Sequence, residues 1–311
     1  MRYVFTFFLF LFLSLGFGQS ESLQFAQWIN RLEQPNNQLL IPELEMYLSQ
    51  ASESPFRDSV SEMLGTLYWG QKNWKALKDL YQQEGYDSSE IDMFRFIAAL
   101  SQSPKEEIIF PLDRSPIQTK GINKLGHLHL PCIVNGKKTN GLFDTGAGIS
   151  LVSESFAKKH GIHRLETATG KATSASGFQI PMQAAYIDSL RFGDLLVKNT
   201  VVGIVPDASL EFKRLGIKWV DIDFIFGWTL LQDLGIQYNR EEKTMEIGNP
   251  DLFECETVNL FWYSIPMIHF YLEGDSIEML TELDFGGWES NTYNVFFETH
   301  PELLKIKKTD E

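Results

Sequence analysis

The sequence predicts a multidomain α+β protein with an N-terminal helical module, an all-β barrel lobe and a partial second β lobe. Two observations lead to this prediction. As far as about residue 105, apolar residues recur at three- and four-residue spacing, which is the period of an amphipathic helix. After residue 121 they alternate between glycine-containing turns, which is typical of strands. The chain has 311 residues, of which 43% are hydrophobic, enough for two domains with their own cores.

Residues 1–18 are expected to be a signal peptide. Arg2 precedes an apolar run from Val4 to Leu15, and Gly16 and Gly18 form a small-x-small cleavage site. The run is short for a membrane span. We therefore expect an exported protein, periplasmic or secreted, with no membrane anchor after cleavage.

The net charge bears on the class of partner, and the cysteine content bears on disulfide bonding. A formal net charge of −14 without a basic run argues against nucleic acid, which is bound through clustered Lys and Arg. Cys132 and Cys255 are the two cysteines. Export permits a disulfide between them, but a single pair does not make a disulfide framework, so buried free thiols are the favoured interpretation.

Residues 19–105 are predicted to form the helical module. Two of its helices should flank a turn at residues 70–73, and the pattern from Leu64 to Leu77 resembles one tetratricopeptide-type (TPR-like) unit. One such unit cannot stand alone as a solenoid. A plain helical packing module is the default interpretation, and a peptide-binding array, a pro-segment and a helical cap are the alternatives.

Residues 106–121, which contain Pro111 and Pro116 and follow Pro104, are predicted to be a linker, and residues 122–250 a β lobe. Asn135-Gly136 is a strong hairpin signal within this lobe. A short helix is expected in "SESFAKKHGI", capped by Ser153 or Ser155 and ending before Gly161.

The hairpin runs into Phe143-Asp144-Thr145-Gly146-Ala147, a stretch that resembles the active-site segment of aspartic proteases, retropepsin-like more than pepsin-like. The family pattern has a second element, two apolar residues and a glycine on a strand behind the catalytic loop. Ile225-Phe226-Gly227 matches it, 83 residues after Asp144. The resemblance covers residues 122–250 and implies an acid-protease-type barrel.

The resemblance implies an aspartic endopeptidase in which Asp144 activates a water molecule, with no metal or other cofactor. Two neighbouring carboxylates cannot both ionise easily, so they share one proton. Around Asp144, Gly146 would let the backbone approach closely and Thr145 would bond to the partner loop. Gly227 would fit where a side chain would collide with the active loop. The resemblance also implies an active-site loop that includes Ala147 and a flap with its tip at Ser174, Ala175, Ser176 and Gly177.

A single lobe supplies one Asp, so the partner must be found elsewhere. Residues 251–311 contain a weak repeat in which Asp284-Phe285-Gly286-Gly287 aligns with Asp144-Thr145-Gly146-Ala147. We interpret it as a degenerate, incomplete second lobe, because Phe285 replaces the Thr and 27 residues remain after Asp284. Three arrangements stay open: Asp144 pairs with Asp284, Asp144 pairs with its copy in a homodimer, or no working dyad forms.

The rival function is a catalytically inactive protein that binds an extended peptide in the cleft of the same fold. Phe285 and the short C-terminal segment favour this rival, whereas the intact Asp144–Ala147 stretch and Gly227 favour a protease acting on a peptide or protein substrate. His127 and His129 share a strand face without a third metal ligand at a fixed spacing, and we interpret them as surface histidines.

Overall fold

The computed structural model describes residues 19–86, 92–119, 127–173, 177–214, 217–239, 241–254, 260–263, 265–271 and 278–286. Several sequence predictions lie outside these ranges. They are the signal peptide, the flap tip from Ser174 to Ser176, the state of Cys255, and the segment after Gly286.

The N-terminal part of the described chain is helical. Its helices are α1 Gln19–Leu32, α2 Ile41–Gln50, α3 Arg57–Gly70, α4 Trp74–Gln83 and α5 Asp92–Leu100. The predicted turn between α3 and α4 is confirmed, and the Asn73 side chain caps α4 by accepting a hydrogen bond from the Ala76 amide at 3.2 Å. Apolar side chains on one face of each helix pack into a shared core around Trp28, Leu44 and Leu67.

The following part of the chain is mainly β structure. Its strands are β1 Glu107–Ile109, β2 Ser115–Gln118, β3 His129–Val134, β4 Lys137–Phe143, β5 Leu151–Ser153, β6 His163–Thr173, β7 Gln179–Phe192, β8 Leu195–Val205, β9 Glu211–Arg214, β10 Ile217–Asp221, β11 Phe224–Phe226, β12 Gly235–Asn239 and β13 Thr244–Gly248. The main sheet has the order β1-β8-β5-β11-β4-β3-β7-β6, and β7 also pairs with β8. This extra pairing joins strands β7, β8, β5, β11, β4 and β3 into a closed barrel.

Residues 106–121, predicted as a linker, supply two of these strands. Strand β1 pairs with β8, and β2 pairs with β13 in a separate sheet with β12. Two prolines in this stretch favoured the prediction of a linker, but Pro116 lies within β2 on a short edge strand, where a missing amide is tolerated.

The local turns and caps of the lobe are as predicted. Asn135 and Gly136 have φ of 46° and 78° and close the β3–β4 hairpin, since positive φ at both central residues is the requirement of a type I′ turn. Helix α6 spans Glu154–His160, with the Ser153 hydroxyl accepting from the Phe156 amide and Gly161 in the left-handed conformation.

Strand β11 fixes the position of the Asp144 loop. It lies between β4 and β5, parallel to β4, with Ile225 opposite Leu142 and Phe226 opposite Phe143. Helix α7, Trp228–Leu231, follows directly. The chain after Phe143 and the chain after Phe226 therefore leave the sheet side by side.

A second, smaller β unit follows the barrel. Its antiparallel strands are β14 Leu260–Tyr263, β15 Ile265–Tyr271 and β16 Glu278–Glu282. Strands β15 and β16 pair from Met267–Glu282 to Tyr271–Glu278, and Asp284 follows β16 as Asp144 follows β4.

The helical part packs against both β units. Phe96 on α5 is fully buried against β6, so closely that a β-carbon on Gly170 would lie 2.8 Å from the Phe96 β-carbon. Next to this contact Lys171 pairs with Asp92 at 2.7 Å. In the second β unit, the His269 ring on β15 donates a hydrogen bond from Nε2 to the Glu33 carbonyl, just after α1, at 2.8 Å. In the described residues, no helix is long and apolar enough to span a membrane.

Candidate active site

Asp144 stands at the end of β4 and is held by backbone groups. Its amide donates to the Phe226 carbonyl at 3.2 Å, which ties the loop to β11. The Ala147 amide donates to Asp144 Oδ1 at 3.1 Å. The carboxylate thus accepts from its own loop, a short-range pattern typical of Asp at a turn.

Asp284 occupies a matching position after β16. The Gly286 amide donates to Asp284 Oδ1 at 2.7 Å, and the Leu283 amide donates to the Pro266 carbonyl at 3.0 Å. The two loops therefore share a local arrangement, although they come from different sheets.

The two carboxyl groups face each other across the loops. A β-carbon on Gly146 would lie 2.6 Å from Asp284 Cγ, and one on Gly286 would lie 2.3 Å from Asp144 Cγ. The glycine of each loop therefore admits the carboxylate of the other. Of the arrangements left open by the sequence, this geometry corresponds to Asp144 beside Asp284 within one chain.

Thr145 joins the two loops. Its hydroxyl donates to the Leu283 carbonyl at 2.5 Å and accepts from the Phe285 amide at 3.0 Å. Phe285 has no hydroxyl with which to form the equivalent hydrogen bonds to the Asp144 loop. Its ring instead packs edge-on against Phe143, with 5.4 Å between the ring centroids. One loop thus supplies hydrogen bonds in both directions and the other adds an aromatic contact.

Burial and charge change the acidity of the pair. Burial raises the pKa of Asp144 to about 7, and the charge of Asp284 and a hydrogen bond with it act in the same direction. The amides of Ala147 and Gly146 oppose this shift by stabilising the carboxylate. A carboxyl that stays protonated to near neutral pH beside another carboxyl can hold a shared proton.

The glycine of the second sequence element is required by sterics rather than by dihedral angle. Gly227 has an extended backbone, with φ −92° and ψ 171°. A β-carbon there would lie 2.3 Å from the Ile149 carbonyl carbon and 2.6 Å from the Ser150 nitrogen. Around this contact the Trp228 amide donates to the Ala147 carbonyl at 2.6 Å, and the Gly227 amide donates to the fully buried Ser150 hydroxyl at 3.0 Å.

The interpretation of His127 as a surface residue is wrong. Its side chain is buried next to Asp284 and hydrogen-bonds to the Gly286 carbonyl. Burial lowers the pKa of His127, against the opposing effects of the Asp284 charge and that carbonyl. Alternation along a strand cannot reveal this contact, because the groups next to the ring, Asp284 and Gly286, belong to the second β unit, which is distant in sequence. His129 is half-buried on β3.

The flap prediction falls partly within the described residues. Strands β6 and β7 form a long hairpin that pairs up to Thr173 and Gln179. Gly177 lies beyond this last pair with φ of 83°, a conformation that favours glycine. The remaining tip residues, Ser174, Ala175 and Ser176, lie outside the description.

Among the described residues, neither a metal site nor a reactive thiol is found. Across the described ranges no group of three or more His, Cys, Asp or Glu side chains could hold a metal ion. Cys132 is a buried free thiol, and burial raises its pKa to about 12. A thiol so far from ionisation is not a nucleophile at neutral pH.

Residues 130–245 match the family model described as aspartyl protease. This segment contains the Asp144 loop and Gly227, and the match confirms the resemblance to retropepsin-like aspartic proteases on which the sequence prediction rests. The barrel is consistent with an acid-protease-type fold. None of the curated proteins compared with the chain matches it.

Two solved structures are similar to part of the chain. A retropepsin-like aspartic protease from Rickettsia conorii is 19% identical, covers 47% of this chain and 94% of its own, and has a TM-score of 0.32. A retroviral protease-like domain of Ddi1 from Leishmania major is 10% identical, covers 40% of this chain and 93% of its own, and has a TM-score of 0.28. Neither likeness carries a further argument at these scores.

Proposed function

We propose that the protein is an aspartic endopeptidase whose dyad is Asp144 and Asp284 of one chain. The observation that carries this proposal is the mutual fit of the two loops, in which Gly146 lies against Asp284 and Gly286 against Asp144. This fit brings the two carboxyl groups to one point. The family match of residues 130–245 supports the same reaction class.

The pair would act by general acid–base catalysis. One ionised carboxylate accepts a proton from water, which then attacks the peptide carbonyl, while the protonated carboxyl donates a hydrogen bond to that carbonyl. The shared proton belongs to the coupled pair. Burial raises the pKa of Asp144, so the pair keeps this shared proton up to near neutral pH.

The test is digestion of a peptide library by the chain from Gln19 onward, between about pH 3 and 7, with products identified by mass spectrometry. Asp144→Asn and Asp284→Asn, each checked for folding by circular dichroism, should both abolish cleavage. The conservative control Asp223→Asn, on an exposed residue before β11, should leave it unchanged. Absence of cleavage by the folded parent protein would rule out the protease.

A homodimeric dyad predicts different results in these experiments. A dyad made of two copies of Asp144 would leave Asp284→Asn active and would make the specific activity rise with protein concentration. A dyad within one chain gives a specific activity that is independent of concentration, with a monomer by light scattering.

A non-catalytic peptide-binding function is the second candidate. Phe285 favours it, because this residue supplies a ring where a second threonine hydroxyl would complete the connection between the loops. Under this function the parent protein would bind library peptides without cleaving them, and Asp144→Asn would bind them equally well.

We also propose that residues 1–18 are removed on export to the periplasm or the medium. The mass of the protein isolated from its native host would show whether the chain begins at Gln19. The TPR-like character of the helical module stays a prediction.

A further inference from the structure

A groove on the helical part of the molecule is separate from the carboxylate pair. It lies between α3, α4 and α5 and has a volume of about 540 Å³, which is within the usual range of ligand sites. Its walls combine aromatic rings with carboxylates, and its lining includes Asp58, Glu62, Trp69, Tyr81 and Tyr86.

The two carboxylates are arranged to act together. Asp58 and Glu62 lie four residues apart on α3, so they share one helix face, and both side chains are exposed. Within the described ranges neither forms an ion pair. Nearby, Glu84 is already neutralised by Arg57 at 2.5 Å. The groove therefore has negative charge available to a ligand.

The rings stand in the field of these charges. Burial raises the pKa of the Tyr86 hydroxyl, and Asp58, Glu84 and Glu62 raise it further. Burial and then Glu62 raise the pKa of Tyr81. The two rings meet at 67° with centroids 5.9 Å apart. Their faces are negative in their quadrupole, so rings and carboxylates favour the same sign of ligand charge.

We propose that this groove binds the side chain of a lysine or arginine within an extended peptide segment. The rings would cover the aliphatic stem and the cation, and Asp58 and Glu62 would neutralise the charge. The hydroxyls of Ser59 and Thr66 on the same wall could bond to the peptide backbone. The net charge of −14 would attract basic segments over a distance.

The groove is connected to the flap through one helix. Met93 on α5 lines the groove, while the preceding Asp92 pairs with Lys171 on flap strand β6. A peptide bound here would lie on the element that supports the flap. The proposal does not rest on peptide cleavage and would hold equally for a non-catalytic protein.

The test is fluorescence anisotropy with a labelled eight-residue Gly/Ser peptide that contains one central lysine. The Asp144→Asn protein is used so that the probe stays intact. Adding Asp58→Asn and Glu62→Gln should weaken binding about tenfold. The matched control Glu53→Gln with Asp113→Asn, which removes two exposed charges elsewhere, should change it by less than about twofold.

A second pair of measurements tests the chemistry. A peptide with norleucine in place of lysine should bind at least about tenfold more weakly, because it lacks the cation. Tyr86→Leu, at a ring that is 42% exposed and therefore tolerant of change, should weaken the lysine peptide and spare the norleucine one. Equal binding of the two peptides, or unchanged binding by the Asp58/Glu62 double variant, would overturn the proposal. Neither result would bear on the proposed protease function, which is tested separately by peptide cleavage with the parent protein.

Discussion

Gly286 lies against the carboxyl group of Asp144, so closely that a β-carbon would be 2.3 Å from its Cγ and 2.4 Å from its Oδ1. The same relationship holds in reverse between Gly146 and Asp284. The carboxylate pair therefore depends on the absence of two side chains as much as on the presence of two Asp residues.

Gly286→Ala should slow peptide cleavage on the order of 100-fold while leaving the fold intact. The three atoms nearest to the new methyl group all belong to the Asp144 side chain, which can rotate away, but a displacement of about 1 Å is enough for this loss of rate. Initial rates on a peptide found in the library digestion give the measurement, and circular dichroism gives the control. Cleavage at the parental rate would show that Asp144 and Asp284 do not act as a pair.

The Asp144 carboxyl should make the protein less stable as pH rises from about 4 to 7. An Asp in an unfolded chain has a pKa of about 3.9, whereas the folded pKa is raised to about 7. Between these values the folded state holds a proton that the unfolded state has lost. This contribution is fully present below about pH 4 and is lost by about pH 7, with a slope of at most about 1.4 kcal/mol per pH unit.

Urea unfolding of the parent protein and of Asp144→Asn at several pH values checks this. The variant should become the more stable protein, relative to the parent, as pH rises through this window. Parallel stability curves would mean that Asp144 has an ordinary pKa.

Thr145→Val should lower the free energy of unfolding by about 1–3 kcal/mol, because it leaves the Leu283 carbonyl and the Phe285 amide without their hydroxyl partner. Thr145→Ser retains the hydroxyl and should recover most of the loss. Urea denaturation measures both. If Thr145→Val is as stable as the parent protein and Thr145→Ser is not, the stabilisation comes from packing of the Thr145 methyl group and not from its hydroxyl.

The sequence predicts local features of this molecule better than its long-range contacts. The Asn135-Gly136 turn, the cap at Ser153 and the strand–glycine element at Gly227 follow from backbone rules within a few residues. The contact between Phe96 and Gly170 and the burial of His127 do not. They depend on which surfaces meet after folding, and the local pattern of residue types around Phe96 or His127 does not indicate which surface that is. Asp284 lies between these extremes, since a weak repeat indicated it but could not show that it faces Asp144.

Two glycine-to-alanine changes should have opposite effects. At Gly227 the β-carbon meets backbone atoms at 2.3–2.6 Å, which cannot move without separating β11 from the Asp144 loop, so Gly227→Ala should destabilise by several kcal/mol. At Gly65, inside α3, the β-carbon would find ordinary contacts at 3.5–3.7 Å. Gly65→Ala should stabilise by about 0.5–1 kcal/mol through helix propensity. Thermal unfolding of both variants is the measurement, and a tolerated Gly227→Ala would contradict the close approach.

Lys72 fastens the helical part to the barrel. It sits in the turn between α3 and α4, pairs with Glu106 and with Asp233 at 2.6 Å, and its side chain is only 12% exposed. Their charges keep the pKa of Lys72 raised even though burial, the largest effect, lowers it. Lys72→Met should cost about 3–5 kcal/mol, because it leaves the buried Glu106 carboxylate without a cation.

Two controls distinguish the cost of leaving the Glu106 charge unpaired from the stabilisation that the ion pair itself provides. Lys198→Met breaks an exposed pair with Glu107 at 3.0 Å and should cost less than about 1 kcal/mol. Adding Glu106→Gln to Lys72→Met removes the orphaned charge and should restore much of the stability, because an unpaired buried charge costs more than an absent pair. If the double variant is as unstable as Lys72→Met alone, the loss comes from the packing of the lysine stem. The helical part and the barrel are then held together chiefly by apolar contacts, such as that of Phe96 on α5 with Gly170 on β6.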